Sequence, residues 1–275
     1  MLKCFKMNGN GNDFLVIDNM DMSYGTDALT TMARRLCLRR EALGADGVLV
    51  AERSQRADFK MRLFNSDGSE GEMCGNGARC IARFAFERGI VSSSEMDFET
   101  LGGMVHARAT GSRAALDLAP VSVADAVVDA AASIEGFDFN YTFLTVGVPH
   151  AVIFEKKRSR GFQDYAPLGR AIRERLDLFP NGTNVNFAVP LENGVLDVMT
   201  YERGVEEMTL SCGTGSTASA IAGLLLGING NCVDVKNPGG VNRVTLKFSD
   251  ADTILPKLEG NVMMVAEMDV FEEAL

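Results

Sequence analysis

Two cysteines in this sequence stand directly before glycine-rich turns. Cys74 begins the stretch CGNG and Cys212 begins CGTG. A Gly-x-Gly sequence marks a tight turn or a close approach of the backbone, and each turn is followed by an alanine-rich stretch with helical character. A thiol at the N-terminus of a helix lies at the positive end of the helix dipole, which favours the thiolate. Either motif taken alone is better explained as a turn with a buried packing cysteine.

The repetition of the pattern favours a chemical role for both thiols. Residues 74–90 read CGNGARCIARFAFERGI, and residues 212–228 read CGTGSTASAIAGLLLGI. Both copies begin with Cys-Gly-x-Gly and end with Gly-Ile, so Gly89 and Gly227 are predicted to be left-handed C-caps of two equivalent helices. A packing cysteine has no reason to recur at the same place in two copies whose other positions have diverged. The other cysteines do not recur in this way.

Two thiols in this setting can invert the stereocentre of an amino acid. The backbone N–H groups of residues 75–77 and 213–215 lie in first helical turns, where they lack helical acceptors and can bind a carboxylate. One thiolate would remove the α-proton and the opposite thiol would return a proton to the other face, while the N–H groups stabilise the developing charge. Neither motif contains a lysine for a Schiff base with pyridoxal phosphate. The sequence therefore predicts an enzyme without cofactor or metal, acting on a small-molecule amino-acid substrate.

The composition argues against several other classes of protein. A formal net charge of −10 and a pI near 4.8 disfavour nucleic-acid binding, which needs clustered Lys and Arg. The basic pairs at 34–35 and 39–40 are interpreted as the solvated face of a helix. The N-terminus reaches a polar glycine-rich loop too soon for a secretory signal, and no apolar run has the length of a membrane span. We expect a cytoplasmic protein with no nucleic-acid or membrane partner and, as its possible assembly, a homodimer.

The elements that must position the thiols are mostly short strands. The predicted strands are residues 14–18, 47–51, 59–64, 104–108, 114–118, 151–154, 184–189, 195–200 and 244–248. The predicted helices are residues 26–40, 78–88, 168–176 and 216–226. This pattern predicts an α+β chain, and the segment 119–136, which contains Pro120 and is rich in Ala, Val, Asp and Ser, is the expected place for a change of domain.

Taken together, the motifs closely resemble those of the diaminopimelate epimerase family. The resemblance covers nearly the whole chain and is carried by GNGNDF, LGADG, FNSDGSEGEMCGNGARC, GVPH, NVNF and YERG followed by SCGTGS. It implies two pseudo-symmetric domains, each a curved β-sheet wrapped around a central α-helix. We place them at residues 1–118, completed by the C-terminal strand 263–275, and at residues 119–262. The implied activity is the cofactor-independent conversion of L,L-diaminopimelate to the meso form, for lysine and peptidoglycan precursors.

The resemblance also implies roles for individual residues. Cys74 and Cys212 match the catalytic base and acid. The backbone donors that match the cradle for the reacting carboxylate are those of Gly75, Asn76, Gly213 and Thr214. The remaining substrate-binding positions are matched by Asn12, Asn65, Asn184, Glu202 and Arg203. Arg203 is expected to grip the distal carboxylate as a fork, and Glu202 to bind an ammonium group.

Three positions depart from the family pattern. Val148 stands where many members have asparagine, Gly47 where some carry a glutamine, and Asn8 where the motif often has histidine. An unpaired polar group in the substrate pocket costs about 1–3 kcal/mol, which is enough to shift the preference between amino acids. The alternative is therefore a related two-cysteine racemase acting on a different amino acid. Several residues that match the family's substrate-binding positions are suited to a second amino-acid head group. They favour diaminopimelate as the substrate.

Two further readings have weaker support. A metal site could use Cys74, Cys80, His106 and His150, but the sequence lacks a Cys-x-x-Cys or His-x-x-x-His clip. A dinucleotide site at residues 9–11 lacks the third glycine of its fingerprint, since Phe14 occupies that position. The loop is also too close to the N-terminus for a preceding strand to build the βαβ unit.

Overall fold

The computed structural model describes residues 1–134 and 136–275. In the N-terminal part of the chain the strands are β1 (Leu2–Gly9), β2 (Asn12–Asp18), β3 (Gly47–Glu52), β4 (Phe59–Asn65), β5 (Glu70–Gly71), β6 (Glu95–Thr100), β7 (Gly103–Thr110) and β8 (Arg113–Asp117). The helices of this part are α1 (Thr26–Leu36) and α2 (Gly75–Glu87).

Strands continue to dominate after residue 118. They are β9 (Val121–Ser122), β10 (Val127–Ile134), β11 (Phe137–Val146), β12 (Val148–Phe154), β13 (Asn184–Pro190), β14 (Leu196–Glu202), β15 (Glu207–Thr209), β16 (Cys232–Asn237), β17 (Gly240–Phe248), β18 (Thr253–Asn261) and β19 (Met263–Val270). The helices are α3 (Ala166–Arg173) and α4 (Gly213–Leu225). Each strand and helix predicted from the sequence coincides with or overlaps one of these elements.

Residues 1–117 and 260–275 form one compact unit. Its sheet runs β19, β1, β2, β3, β4, β6, β7, β8, with parallel pairs only at β2–β3 and β4–β6 among the pairings described. Helix α2 contacts strands from both halves of this order, including β1, β2, β7 and β8, so the sheet curves around it. Small residues permit that close approach. A Cβ added at Gly77 would lie 3.0 Å from Cδ2 of Leu49.

Residues 118–259 form the second compact unit, which repeats the pairing order of the first. Its sheet runs β10, β11, β12, β13, β14, β16, β17, with parallel pairs at β12–β13 and β14–β16. Helix α4 contacts β11, β12, β13, β14, β16 and β17. It is apolar on all sides because the sheet surrounds it. The predicted α+β class, with two pseudo-symmetric domains each built around a central helix, is confirmed.

Several helix ends differ from the sequence prediction, including both ends of α3, which lie two and three residues earlier than predicted. Helices α2 and α4 begin at Gly75 and Gly213, three residues earlier than predicted, because the Gly-x-Gly stretches form their first turns. Helix α1 ends at Leu36, where the amide of Gly44 donates to the Leu36 carbonyl at 2.9 Å and replaces the next helical bond. In the part of the chain that the structure describes, no helix has the length and apolar character of a membrane span.

The prediction of one continuous basic helix face is wrong for its second half. Arg39 and Arg40 follow the end of α1 and lie in turns. Arg39 donates to Asp13 at 2.7 Å and to Asp46 at 2.5 Å instead of facing solvent along a helix. Arginine can satisfy two carboxylates at once because its donors are held in a planar fork. The basic run therefore has a structural role in this unit.

The glycine-rich stretch at residues 9–11 forms a β-hairpin turn. Asn10 and Gly11 both adopt positive φ angles, of 50° and 95°, between the paired residues Gly9 and Asn12. Two central residues of this kind are typical of the type I′ turn, whose twist matches that of the flanking strands. Strand β1, which was not predicted, is one arm of this hairpin.

Candidate active site

The recurring cysteines both occupy N-cap positions. Cys74 precedes α2 with extended backbone angles (φ −132°, ψ 122°), and Cys212 precedes α4 in the same way (φ −110°, ψ 115°). The C-terminal ends match as well, since Gly89 and Gly227 both have φ of 70°, as predicted for left-handed C-caps. Each unit thus presents one thiol and the first-turn amides of one buried helix, which carry partial positive charge.

The thiol of Cys212 is buried and held by its own helix. Its Sγ accepts a hydrogen bond from the amide of Gly215 at 3.3 Å and lies 3.4 Å from Oγ1 of Thr214. The amides of Gly213 and Thr214 precede the one bound to sulfur. These two amides are the donors that the sequence assigned to a substrate carboxylate.

The expectation of a lowered pKa is wrong for Cys212. Burial raises the pKa of this thiol well above its ordinary value, and the nearby carboxyl of Glu202 raises it further. The hydrogen bonds from Thr214 and Gly215 act in the opposite direction but are outweighed. Cys212 therefore favours the protonated form in this structure.

Glu202 lies at the end of β14, against Cys212. Its Oε1 accepts a hydrogen bond from Thr209 on β15, and its carboxyl also contacts the thiol. Burial raises the pKa of the carboxyl, although these hydrogen bonds lower it in part. Ionisation of either group opposes ionisation of the other, so the thiol and the carboxyl hold at least one proton between them. The sequence assigned Glu202 to a substrate ammonium, and the structure additionally places it beside a predicted catalytic thiol.

Buried polar side chains fix the loop that carries Cys212. Ser216 donates to the carbonyl of Cys212 at 2.9 Å. In turn, Asn242 donates to Ser216 at 3.0 Å and Asn237 donates to Ser216 at 3.1 Å. Buried amides and hydroxyls that satisfy one another hold a single arrangement, because losing one partner strands the others without water. The first turn of α4 is thereby attached to the β16–β17 hairpin.

Gly215 is required by close packing. A Cβ at this position would lie 2.5 Å from Oδ1 of Asn186 and 3.0 Å from Oγ1 of Thr200. Contacts this short leave no room for a side chain, so only glycine brings the helix start against β13 and β14. The second glycine of the CGTG motif is explained by this packing.

Cys74 is only half-buried, and the polar side chains around it form a chain. Asn76, in the first turn of α2, donates through Nδ2 to Oδ1 of Asn12. Asn12 in turn donates to Oδ2 of Asp46 at 3.0 Å. The structure thus brings together Asn12 and Asn76, which lie far apart in the sequence. One of the two N–H bonds of the Asn12 amide is used by Asp46, so the other can serve a ligand. Next to Gly75 the space is open, since a Cβ there would meet nothing within 4 Å.

Asp46 and Asp13 attach this series of hydrogen-bonded side chains to the β1–β2 hairpin. Asp13 binds Lys6 at 2.5 Å and Arg39 at 2.7 Å. Burial alone would raise the pKa of Asp13, but the hydrogen bonds and charges of Arg39 and Lys6 outweigh burial and lower the pKa to about 2. This carboxylate is therefore firmly ionised, and it holds both cations in place.

Asn184 and Arg203 lie together in the second unit. Oδ1 of Asn184 accepts a hydrogen bond from the amide of Arg203 at 2.7 Å, so the donor end of the Asn184 side chain is the end that can serve a substrate. The guanidinium of Arg203 donates through Nη1 to the carbonyl of Asn181. Its planar group retains further N–H donors for a carboxylate.

His150 is a buried neighbour of this pair, which the sequence offered only as a ligand of a weakly supported metal site. It lies within β12, fully buried, with Nδ1 3.2 Å from Nδ2 of Asn186. Its Nε2 has no hydrogen-bond partner among the described residues. Burial lowers the pKa of His150 to about 3, and the charge of Arg203 contributes to the shift. The imidazole is therefore neutral at physiological pH. The GVPH motif contains this histidine, but the sequence alone does not show that its side chain is buried.

Asn65 makes its side-chain hydrogen bond within its own turn. It is exposed at the end of β4, where Nδ2 donates to Oγ of Ser69 at 3.0 Å. Ser69 in turn donates to Asp67 at 2.6 Å. The structure shows Asn65 as a residue of the β4–β5 turn, and its predicted contact with a substrate stays a prediction.

The three departures from the family pattern have different structural settings. Val148 is half-buried at the start of β12. A Cβ at Gly47 would lie 2.6 Å from the carbonyl oxygen of Phe64, so β3 has no room for a side chain there. Asn8 accepts a hydrogen bond from the amide of Gly11 at 3.2 Å and supports the hairpin turn. Val148 is the one of the three without such a local structural reason, and its effect on substrate preference stays a prediction.

The positions of the histidines do not support the hypothesis of a metal site. His106 is partly exposed on β7 and lies 2.8 Å from a carboxylate oxygen of Asp97. Residues 1–134 and 136–275 contain no cluster of three or more His, Cys, Asp or Glu side chains placed to hold a metal ion.

Comparisons of the sequence with known proteins show one family. The model of the family described as "Diaminopimelate epimerase" matches residues 4–122 and 142–264. The diaminopimelate epimerase of Aquifex aeolicus is 38% identical over 285 residues, covering 100% of this chain and 99% of the relative. That of Archaeoglobus fulgidus is 40% identical over 252 residues, covering 88% of each chain. Among solved structures, a probable proline racemase from Agrobacterium radiobacter shares the fold, with a TM-score of 0.71 at 16% identity, covering 99% of this chain and 93% of its own.

Proposed function

This chain belongs to the diaminopimelate epimerase family, and from that premise we propose that it converts L,L-diaminopimelate to meso-diaminopimelate. The observation that carries the proposal is the recurrence of Cys74 and Cys212 as N-caps of two equivalent buried helices. The family match over most of the chain supports the same activity. The product serves the synthesis of lysine and of peptidoglycan precursors.

In the proposed reaction the two thiols exchange roles across one substrate carbon. One thiolate takes the α-proton, so that a C–H bond breaks and an S–H bond forms. The opposite thiol then gives its proton to the other face of the carbon, which inverts the stereocentre. Atoms and electrons balance without an oxidant or cofactor.

First-turn amides stabilise the charge that develops during proton removal. We assign this role to the backbone N–H groups of Gly75, Asn76, Gly213 and Thr214. As the α-proton leaves, negative charge spreads onto the adjacent carboxylate. Donors already oriented towards that carboxylate lower the barrier without reorganisation. The charge of the two helix ends adds to the effect.

The other predicted residues hold the rest of the substrate. Arg203 would bind the distal carboxylate with the donors not used by Asn181. Asn184 offers its donor end, and Asn12 offers its second N–H bond. Glu202 and Asn65 complete the proposed set. The acidic composition supports a free small molecule as the partner, with no nucleic acid or membrane, in a cytoplasmic protein that can form a homodimer.

The test is deuterium incorporation during turnover in D₂O. L,L-diaminopimelate and a panel of free amino acids are offered to the wild type and to Cys74→Ala, Cys212→Ala and Cys232→Ala. We expect inverted diaminopimelate carrying deuterium at the α-carbon from the wild type and from Cys232→Ala, whose thiol is exposed on β16. Both other variants should lose epimerisation.

The panel separates the two candidate substrates. Inversion of a different amino acid, with none of diaminopimelate, would keep the two-thiol chemistry and replace the substrate. Epimerisation that survives in Cys74→Ala or Cys212→Ala would overturn the mechanism.

A further inference from the structure

Arg79 is a buried cation on the same helix as Cys74. Its side chain is 0% exposed, one of the largest fully buried side chains described. Nη2 donates to Oδ1 of Asn76 at 2.6 Å, whereas Nε and Nη1 have no hydrogen-bond partner among the described residues. Removing a guanidinium from water is costly unless an anion or a full set of acceptors replaces the water. No carboxylate is among the groups acting on Arg79.

The titratable groups near Arg79 are thiols. Burial lowers the pKa of Arg79, and the charges that act to raise it are those of Cys80 and Cys74. Cys80 is itself buried, and burial raises the pKa of its thiol to about 12, so it stays protonated. Cys74 is then the one of the two thiols that can supply an anion to balance the guanidinium. The guanidinium is held against Asn76, two residues after Cys74, and a buried cation that acts on a thiol favours the thiolate.

The second copy of the repeat carries the opposite charge. When the sequences that follow Cys74 and Cys212 are aligned, Thr217 stands at the position of Arg79. Among the described residues, the titratable group that acts most strongly on Cys212 is the carboxyl of Glu202. The two otherwise equivalent helix starts therefore differ in the buried group that acts on the sulfur, which is a guanidinium in one and a carboxyl in the other.

We propose that Arg79 is a positioning residue that holds Asn76 in the first turn of α2 and keeps Cys74 ionised in the resting protein, while Cys212 carries the proton. The inference rests on the proposed function, because it assigns the starting roles of the two thiols. Asn76 is the residue through which the guanidinium also orients the amide chain to Asn12. Arg79 itself need not touch the substrate.

The proton balance of this resting state is defined. Cys74 begins as base and Cys212 as acid, so one turnover moves the substrate proton onto Cys74 and the Cys212 proton onto the product. To return to rest, Cys74 must release a proton and Cys212 must gain one. The charges at the two sulfurs favour that return.

The other charged groups near these sites have partners of their own. On α2, Arg83 acts on Cys80 and donates to the carbonyl of Val262. Asp46 is linked to Asn76 through Asn12, and Arg39 balances its charge. Glu72, two residues before Cys74, is exposed, so solvent screens it.

The test is the pH dependence of alkylation at each cysteine. Wild-type protein is treated with iodoacetamide from about pH 5 to about pH 10, and labelling is quantified by mass spectrometry of peptides. We expect the midpoint for Cys74 to lie below that for Cys212. In Arg79→Met the Cys74 midpoint should rise by at least about one unit, a roughly tenfold loss of rate at neutral pH, and in Arg79→Lys most of the wild-type behaviour should return.

Arg83→Met is the matched control, since it removes a cation from the same helix one turn further along. Its Cys74 midpoint should equal that of the wild type. A wild-type Cys212 midpoint at or below that of Cys74 overturns the proposal, and this comparison needs no variant if Arg79→Met fails to fold. An unchanged Cys74 midpoint in folded Arg79→Met overturns it as well.

Alkylation requires no substrate, so the outcome is separate from that of the proposed activity. Failure to epimerise diaminopimelate would refute the function and leave the titration of Cys74 to be judged on its own.

Discussion

At Cys212 the protein surroundings oppose the effect of the helix terminus. Burial and the carboxyl of Glu202 favour the thiol, whereas the amide of Gly215 and the hydroxyl of Thr214 favour the thiolate. Burial is the largest contribution because a charged sulfur loses its water there. A catalytic acid has to retain its proton until the carbanion forms, and these surroundings suit that task.

Val148 is the residue that bears most directly on the choice of substrate. Replacing it by asparagine should restore a hydrogen-bond partner for the distal part of diaminopimelate. We expect kcat/KM for diaminopimelate to rise about tenfold, corresponding to a gain of about 1.4 kcal/mol in transition-state binding. Steady-state kinetics of epimerisation would measure the change.

Val148→Thr is the control for this substitution, because it keeps the shape of valine and adds a smaller polar group. If Val148→Asn lowers kcat/KM for diaminopimelate while raising it for another amino acid, diaminopimelate is not the preferred substrate.

Among the secondary-structure elements, the β1–β2 hairpin and the segment after α1 are joined by charge. Asp13 on β2 binds Lys6 on β1 and Arg39 beyond α1, and Asp46 binds the same arginine. The side chain of Asp13 is only 18% exposed, so these pairs are less screened than surface ion pairs. Because Asp46 also binds Asn12, the pairs help to position the predicted substrate amide.

Asp13→Asn should lower the free energy of unfolding at neutral pH by about 1–2 kcal/mol, less than the full equivalent of the pKa shift from 3.8 to about 2 because solvent screens the exposed Arg39. The folded-state pKa is depressed, so this stability is fully present above about pH 4 and is lost as the pH falls towards 2. Urea unfolding of both proteins at about pH 7 and about pH 3 would check it.

The difference between wild type and Asp13→Asn should therefore shrink at the lower pH. Asp125→Asn, at an exposed aspartate in the other unit, is the control and should change stability little at either pH. A difference that stays constant with pH would show that Asp13 acts through something other than its charge.

On the scale of the whole molecule, one unit is built from a single segment of the chain and the other from two segments. The second unit is continuous, residues 118–259, whereas the first needs the C-terminal segment Gly260–Leu275. Strand β19 pairs antiparallel with β1, and Val270 packs in the same apolar cluster as Leu2 and Cys4. The chain must therefore be complete before the first unit can close its sheet.

Deleting residues 260–275 should destabilise the first unit selectively. Hydrogen exchange should show amide protection lost by at least about tenfold in β1 and β2, with β13 and β14 largely retained, because local stability follows local contacts. Deleting only residues 271–275, beyond β19, is the control and should leave β1 protected. Equal loss of protection in both units would mean that they unfold as one.

The sequence by itself determined the features that depend on neighbouring residues. The two Cys-Gly-x-Gly motifs, the helices that follow them and their left-handed glycine caps were all predictable, because turn and helix preferences act within a few residues. The duplicated pattern also predicted the paired units. Strands such as β1 and β10 were missed, because their pairing depends on residues distant in the chain.

Only the tertiary structure decided the electrostatics of the two thiols. It placed Glu202 against Cys212, buried Arg79 beneath Asn76, and joined Asn12 to Asn76 across the unit. It also ended α1 early and freed Arg39 to bind Asp13 and Asp46. Burial and long-range contact set the cost of each charge, and neither can be read from residue type or spacing. Two motifs that are nearly equivalent in sequence therefore differ in their buried surroundings, with an arginine against the first turn of one helix and a carboxyl against the thiol of the other.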